Sequence, residues 1–226
     1  MKKVLLTAAA VMTFGLMSAQ EETTSAYKPV KGTIATEVAL IGGLNNADFD
    51  LNSGALKFRY FLKDDMALRL GLGLNSNKTE DVNNANPANI ETEIRKNSNT
   101  LLNLGIEKHF AGSERLSTYA GADLLIGFNG ASYEYTENGY SYEEDASDLN
   151  GNNASTSFGV RVLTGADYYI TKKVFLGVEA GLNFMSEKAK DNTITETGSP
   201  TVTTTGGKSG GFTTSVVGGV RIGFQF

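Results

Sequence analysis

The chain has 226 residues, 40% hydrophobic and 20% charged, with 26 glycines, 3 prolines, no cysteine and no tryptophan. The formal net charge is −5 with no basic patch, which argues against nucleic acid as a partner. The lack of cysteine excludes disulfides, thiolate metal sites and a lipidated N-terminal cysteine.

Lys2 and Lys3 precede an unbroken apolar run from Val4 to Met17, which gives way to Ser18, Ala19, Gln20 and Glu21. A basic flank, a short apolar stretch and small residues before a polar start define a secretory signal peptide. We read it as residues 1–19, cleaved after Ala19. Its loss removes two lysines and takes the net charge from −5 to −7. Residues 20–29 are expected to form a short periplasmic segment and 30–226 a single domain. No later stretch approaches the ~20 apolar residues of a membrane helix.

From about Val30 the pattern has period two and recurs eight times, near 32–42, 54–62, 66–75, 97–110, 116–128, 156–170, 174–184 and 212–226. The connections alternate. Short turns lie at Lys63–Asp65, Ala111–Arg115 and Thr171–Lys173, and long polar stretches at 43–53, 76–96, 129–155 and 185–211. Such alternation predicts an up-and-down meander with every short turn at one end. Transmembrane barrels of bacterial type have this asymmetry and an even strand number.

Residue parity sorts the faces. Even positions such as Leu68, Leu70, Leu72 and Leu74, or Val174, Leu176 and Val178, are apolar; Lys108 is the one even-numbered charge, placed where it can snorkel. Odd positions carry Glu37, Lys57, Arg59, Arg69, Glu107, Asp123, Arg161, Asp167, Glu179 and Arg221, together with His109 and most strand glycines. A soluble barrel with these faces would expose an apolar belt far larger than soluble monomers show. In a membrane barrel the same belt meets lipid and the charges line the lumen. Even-numbered aromatics mark both edges of the belt: Tyr60, Phe110, Tyr168, Phe224 and Phe226 at the short-turn end, and Phe128, Phe158, Phe184 and Phe212 at the other. The fold class is therefore all-β, an eight-stranded antiparallel up-and-down transmembrane β-barrel.

A signal peptide, eight strands, long outer loops and a last strand ending in Phe226 resemble the small outer-membrane barrels of the OmpA/OmpX type, over roughly Val30 to Phe226. The resemblance implies a place in the outer membrane, in contact with its lipid, as a monomer. It also implies that Val220, Ile222, Phe224 and Phe226 form the signal read by the barrel-assembly machinery. OmpA itself continues into a periplasmic peptidoglycan-binding domain and this sequence stops at the barrel, so no cell-wall tether is expected.

Eight strands enclose a space that side chains can fill. Five inward acids balance five inward bases, so the lumen reads as a neutralised ionic plug; a narrow or gated pore is the alternative. Counting across the Lys63–Asp65 turn sets Arg59 opposite Arg69, an unfavourable like-charge pair, so carboxylates such as Glu107 or Asp123 are expected to reach them. An outer-membrane enzyme is the third reading. His109 points inward beside Glu107 at the periplasmic end, remote from outer-leaflet lipid, and no nucleophile, phosphate-loop or metal-spacing motif is present. No catalytic residue, metal ligand or cofactor is assigned.

In the third long connection, Asn138-Gly139 predicts a two-residue hairpin turn. It pairs Glu137 with Tyr140, Tyr135 with Tyr142 and Tyr133 with Glu144, and puts Tyr133, Tyr135, Tyr140 and Tyr142 on one face. Tyrosine suits protein contact, so residues 131–145 are the candidate surface for an extracellular protein or cell-surface partner. The pairing sum of this hairpin is odd whereas the flanking strands pair even with even, so a bulge or break is required. Asp145, Asp148, Asn150 and Asn152 are a weak calcium candidate without EF-hand spacing. Residues 76–90 and 192–211 read as hydrated, mobile loops.

Overall fold

The computed structural model describes residues 25–40, 56–86, 89–110, 112–150, 152–206 and 208–226. The signal peptide and the first long connection, 43–53, lie outside these residues. The strands are β1 (Ile34–Leu40), β2 (Leu56–Lys63), β3 (Met66–Asn86), β4 (Asn89–Phe110), β5 (Leu116–Glu137), β6 (Tyr140–Glu144), β7 (Ser155–Tyr169), β8 (Val174–Ala189), β9 (Asn192–Glu196), β10 (Val202–Thr204) and β11 (Lys208–Gln225).

Eight of them close an antiparallel ring in the order β1-β2-β3-β4-β5-β7-β8-β11. β11 returns to β1 with Gln225 opposite Ala35 and Val220 opposite Leu40, which closes the ring among the described residues. β6, β9 and β10 stand outside the ring and extend β5 into a sheet at the long-loop end.

The ring strands coincide with the eight period-two segments. Their length does not. β3 and β4 keep one register from Met66–Lys108 to Asn83–Glu91, and β5 follows β4 up to Glu137. The stretch 76–96 is thus a long hairpin rather than a loop, and 192–211 contains β9, β10 and the start of β11. Above the membrane both faces of a strand meet water. Polar residues on both faces erase the apolar alternation that marks a strand, while the backbone ladder continues.

Leu68, Leu70, Leu72, Val160, Val162, Val178 and Ile222 are all at least 38% exposed, whereas Arg59, Arg69, Glu107, Asp123, Asp167 and Arg221 are at most 6% exposed. Outward apolar and inward charged side chains are the reverse of a soluble barrel and match a membrane-spanning one. Tyr60, Tyr168, Phe128, Phe158 and Phe226 lie exposed at the two edges of the band. The Phe212 side chain lies outside the described ones.

Candidate functional site

The lumen is filled by one connected ionic network to which every ring strand contributes. Arg59 pairs with Glu37 (3.2 Å), Glu107 (3.1 Å) and Asp167 (2.6 Å). Arg69 pairs with Glu107 (2.6 Å), Asp123 (3.1 Å) and Glu179 (2.8 Å). Arg221 reaches Glu37 (2.6 Å), Asp167 (3.0 Å) and Glu179 (3.3 Å). Lys57 pairs with Glu179 at 2.9 Å and Arg161 with Asp123 at 3.8 Å. All ten charged residues singled out in the sequence meet here. Arg59 does lie opposite Arg69 in register, and the shared Glu107 carboxylate offsets their repulsion.

Two of these pairs cross the full lumen. β2 and β7 stand four strands apart in either direction around the ring, as do β3 and β8. Arg59–Asp167 and Arg69–Glu179 are therefore diametral bridges. A cavity beside Lys57, Asn103 and Asp123 measures about 10 Å³, room for one water at most.

Tyr119 sits among these groups. Its hydroxyl donates to Glu179 at 3.0 Å and accepts from Arg221, and the guanidiniums of Arg59, Arg69 and Arg221 lie 5.4–5.9 Å from its ring centre. Below it the periplasmic end is closed by apolar side chains: Ala35, Phe61, Ala67, Tyr169 and Phe175 are each at most 2% exposed. Tyr27, from the segment before β1, packs against this cluster. Arg115 lies 4.0 Å over the Tyr27 ring and donates to its hydroxyl at 2.7 Å. Gln225 donates to the carbonyls of both Tyr27 and Lys172 at 2.8 Å. Sequence reasoning missed Tyr119 and this aromatic floor. The available signal was parity, because Phe61, Tyr119, Tyr169 and Phe175 share the odd face with the charges.

His109 contacts Glu107 through Nε2 (2.9 Å) and Ser117 through Nδ1 (2.8 Å). The three form a buried Ser–His–Glu line, but Glu107 is already neutralised by two arginines, and Phe61 and Tyr119 pack beside the imidazole at ring-centre distances of 5.3 Å. Ser117 itself is only 3% exposed.

At the other end, Asn138 and Gly139 have φ of 45° and 83°, the two positive values a type I′ turn requires. The pairs are Glu137–Tyr140, Tyr135–Tyr142 and Tyr133–Glu144, and the irregular segment 145–154 supplies the break before β7. Tyr133 packs edge-on to Tyr142 and Tyr135 to Tyr140, with ring centres 6.0 and 6.2 Å apart. Tyr133 is only 8% exposed, so Tyr135, Tyr140 and Tyr142 supply the accessible part of this face. Hydrogen bonding to Glu137 pushes the Tyr135 phenol up to about 12, and Glu144 does the same for Tyr142.

The calcium candidate fails on its chemistry. Asp148 accepts from Asn150 N (2.9 Å), Asn152 N (3.1 Å) and Asn152 Nδ2 (2.6 Å), and Asp145 accepts from Thr193 N (2.7 Å). Both oxygens of Asp148 and Oδ1 of Asp145 are occupied by N–H donors that tie the segment together. Among the described residues no group of three or more His, Cys, Asp or Glu is placed to hold a metal ion.

An inward-charged, outward-apolar ring of eight strands defines a transmembrane β-barrel of the bacterial outer-membrane type. The model of the "Putative OmpA-OmpF-like porin family" matches residues 43–190, well over half the chain, and the chain belongs to that family. Among curated proteins none matches the sequence. Similar solved structures include the N-terminal β-barrel domain of Pseudomonas aeruginosa OprF (16% identity, 88% of this chain and 100% of that one, TM-score 0.42). The outer membrane protein OprG of the same organism aligns at 12% identity over 88% and 98%, with TM-score 0.46. Acinetobacter baumannii CarO aligns at 14% identity over 87% and 98%, with TM-score 0.33.

Proposed function

We propose that this protein is a sealed outer-membrane scaffold that holds an extracellular sheet for contact with an extracellular protein or cell-surface partner. The observation that carries this reading is the pair of diametral ion bridges above an aromatic floor, which fill the lumen among the described residues. Charge supports it too. The lumen is balanced, whereas the described residues within 76–96, 129–155 and 185–206 carry thirteen acids against five bases. In this reading the signal peptide is cleaved after Ala19, the barrel is a monomer in outer-membrane lipid, and the assembly machinery reads β11. Surface proteolysis combined with deletion of 131–145 tests it: partner or cell adhesion is lost while the barrel still assembles.

A narrow pore is the second reading, favoured by the porin family and by paired lumen charges that exchange of partners would open. Bilayer recording decides. Zero conductance in wild type, Arg59→Ala and Arg221→Ala supports the sealed scaffold; stepwise currents altered by those substitutions support the pore. Enzymatic action on outer-leaflet lipid is the third reading, tested by lipid analysis after deletion of the protein.

A further inference from the structure

Above the ionic network, β4, β5 and β7 present one level of neutral polar side chains at the extracellular mouth. Asn99, Asn129 and Ser155 stand directly opposite one another in register. Asn99 Nδ2 donates to Asn129 Oδ1 at 2.7 Å and Asn129 Nδ2 to Ser155 Oγ at 2.9 Å; Ser155 Oγ donates to Glu187 on β8. Asn97, one step up β4, and Asn152 and Asn153, from the segment before β7, help to enclose a recess of about 390 Å³. That lies in the usual range of small-ligand sites, ~300–1,000 Å³. The ionic network lies below this level, and Asn99, Asn152 and Glu187 are solvent-exposed.

The lining selects a narrow chemistry. Each carboxamide offers donors and an acceptor side by side, the counterpart of neighbouring hydroxyls that both donate and accept. An aliphatic ligand would leave the amide positions not used between Asn99, Asn129 and Ser155 without partners. An anion would meet Glu187, with no lysine or arginine among the lining residues. We propose that this recess binds a small, neutral, polyhydroxylated molecule of monosaccharide size. No aromatic ring is among the lining residues to stack on a sugar face, so the affinity is weak, with Kd on the order of 1 mM. The site depends on neither partner contact by the tyrosine hairpin nor conduction through the lumen.

The test is saturation-transfer NMR on the full chain folded in a zwitterionic detergent free of sugar headgroups, with methyl glucoside, N-acetylglucosamine and glucuronate as probes. The neutral sugars receive transfer and glucuronate little. The double substitution Asn99→Leu/Asn129→Leu weakens the neutral-sugar response at least about tenfold. Glu187→Gln keeps that response and raises the one to glucuronate. Heat-dependent migration on gels verifies that each variant is folded, and Asn129→Ala replaces the double variant if that one does not fold. No transfer to either neutral sugar, equal transfer in folded asparagine variants, or a stronger response to glucuronate in wild type overturns the proposal.

Discussion

Arg221 on β11 and Asp167 on β7 form a 3.0 Å ion pair although β8 runs between their strands; the β8 residue opposite both is Gly177. The glycine is the gap through which they meet. The same device recurs at Gly105, opposite both Arg69 and Asp123. It recurs again at Gly165, opposite both Tyr119 and Glu179. Gly177, Gly105 and Gly165 therefore mark where polar side chains from next-but-one strands meet across the strand between them.

This makes Gly177 sensitive to one methyl group. A Cβ there would fall 2.6 Å from Asp167 Oδ1 and 2.8 Å from the Arg221 guanidinium, whereas one at Gly73 would find its nearest neighbour at 3.8 Å. Gly177→Ala is expected to cost about 1–3 kcal/mol by overpacking, and Gly73→Ala under about 0.5 kcal/mol. Urea unfolding in lipid vesicles checks the contrast.

Removing the Arg221 charge leaves Glu37, Asp167 and Glu179 short of a cation. Arg221→Met is expected to destabilise the folded barrel by about 3–5 kcal/mol. Adding Asp167→Asn should recover part of that loss, a coupling a double-mutant cycle reads directly.

The hairpin tyrosines titrate late. The folded Tyr135 phenol sits near 12 against an ordinary 10 because it donates to Glu137. A raised folded value means that the stabilisation is fully present below pH ~10 and is lost as pH rises through about 12. Phenolate absorbance should show this delayed ionisation, and Glu137→Gln should bring the Tyr135 component earlier.

The last strand closes the ring through its register with β1, and Gln225 ties the Tyr27 segment to the Lys172 turn. Deleting Phe226 is expected to reduce assembly in the outer membrane, and deleting β11 to abolish it. Gln225→Ala should assemble but unfold at lower urea. Membrane fractionation with heat-dependent gel migration separates these outcomes.

Period-two parity was enough for eight strands and the face each charge would take, and turn signals for the like-charge facing of Arg59 and Arg69 and the Asn138-Gly139 hairpin. Those features are local: alternation fixes a face, and a short turn fixes a register. Which acid meets which base was not local. Arg59 and Asp167 are 108 positions apart, and only ring closure sets β2 across from β7. Tertiary structure likewise carried strands beyond the lipid band, where water on both faces removes the alternation. It also turned Asp148 into a loop tie, put an aromatic floor beneath the charges, and brought Asn99, Asn129 and Ser155 into one polar level at the mouth.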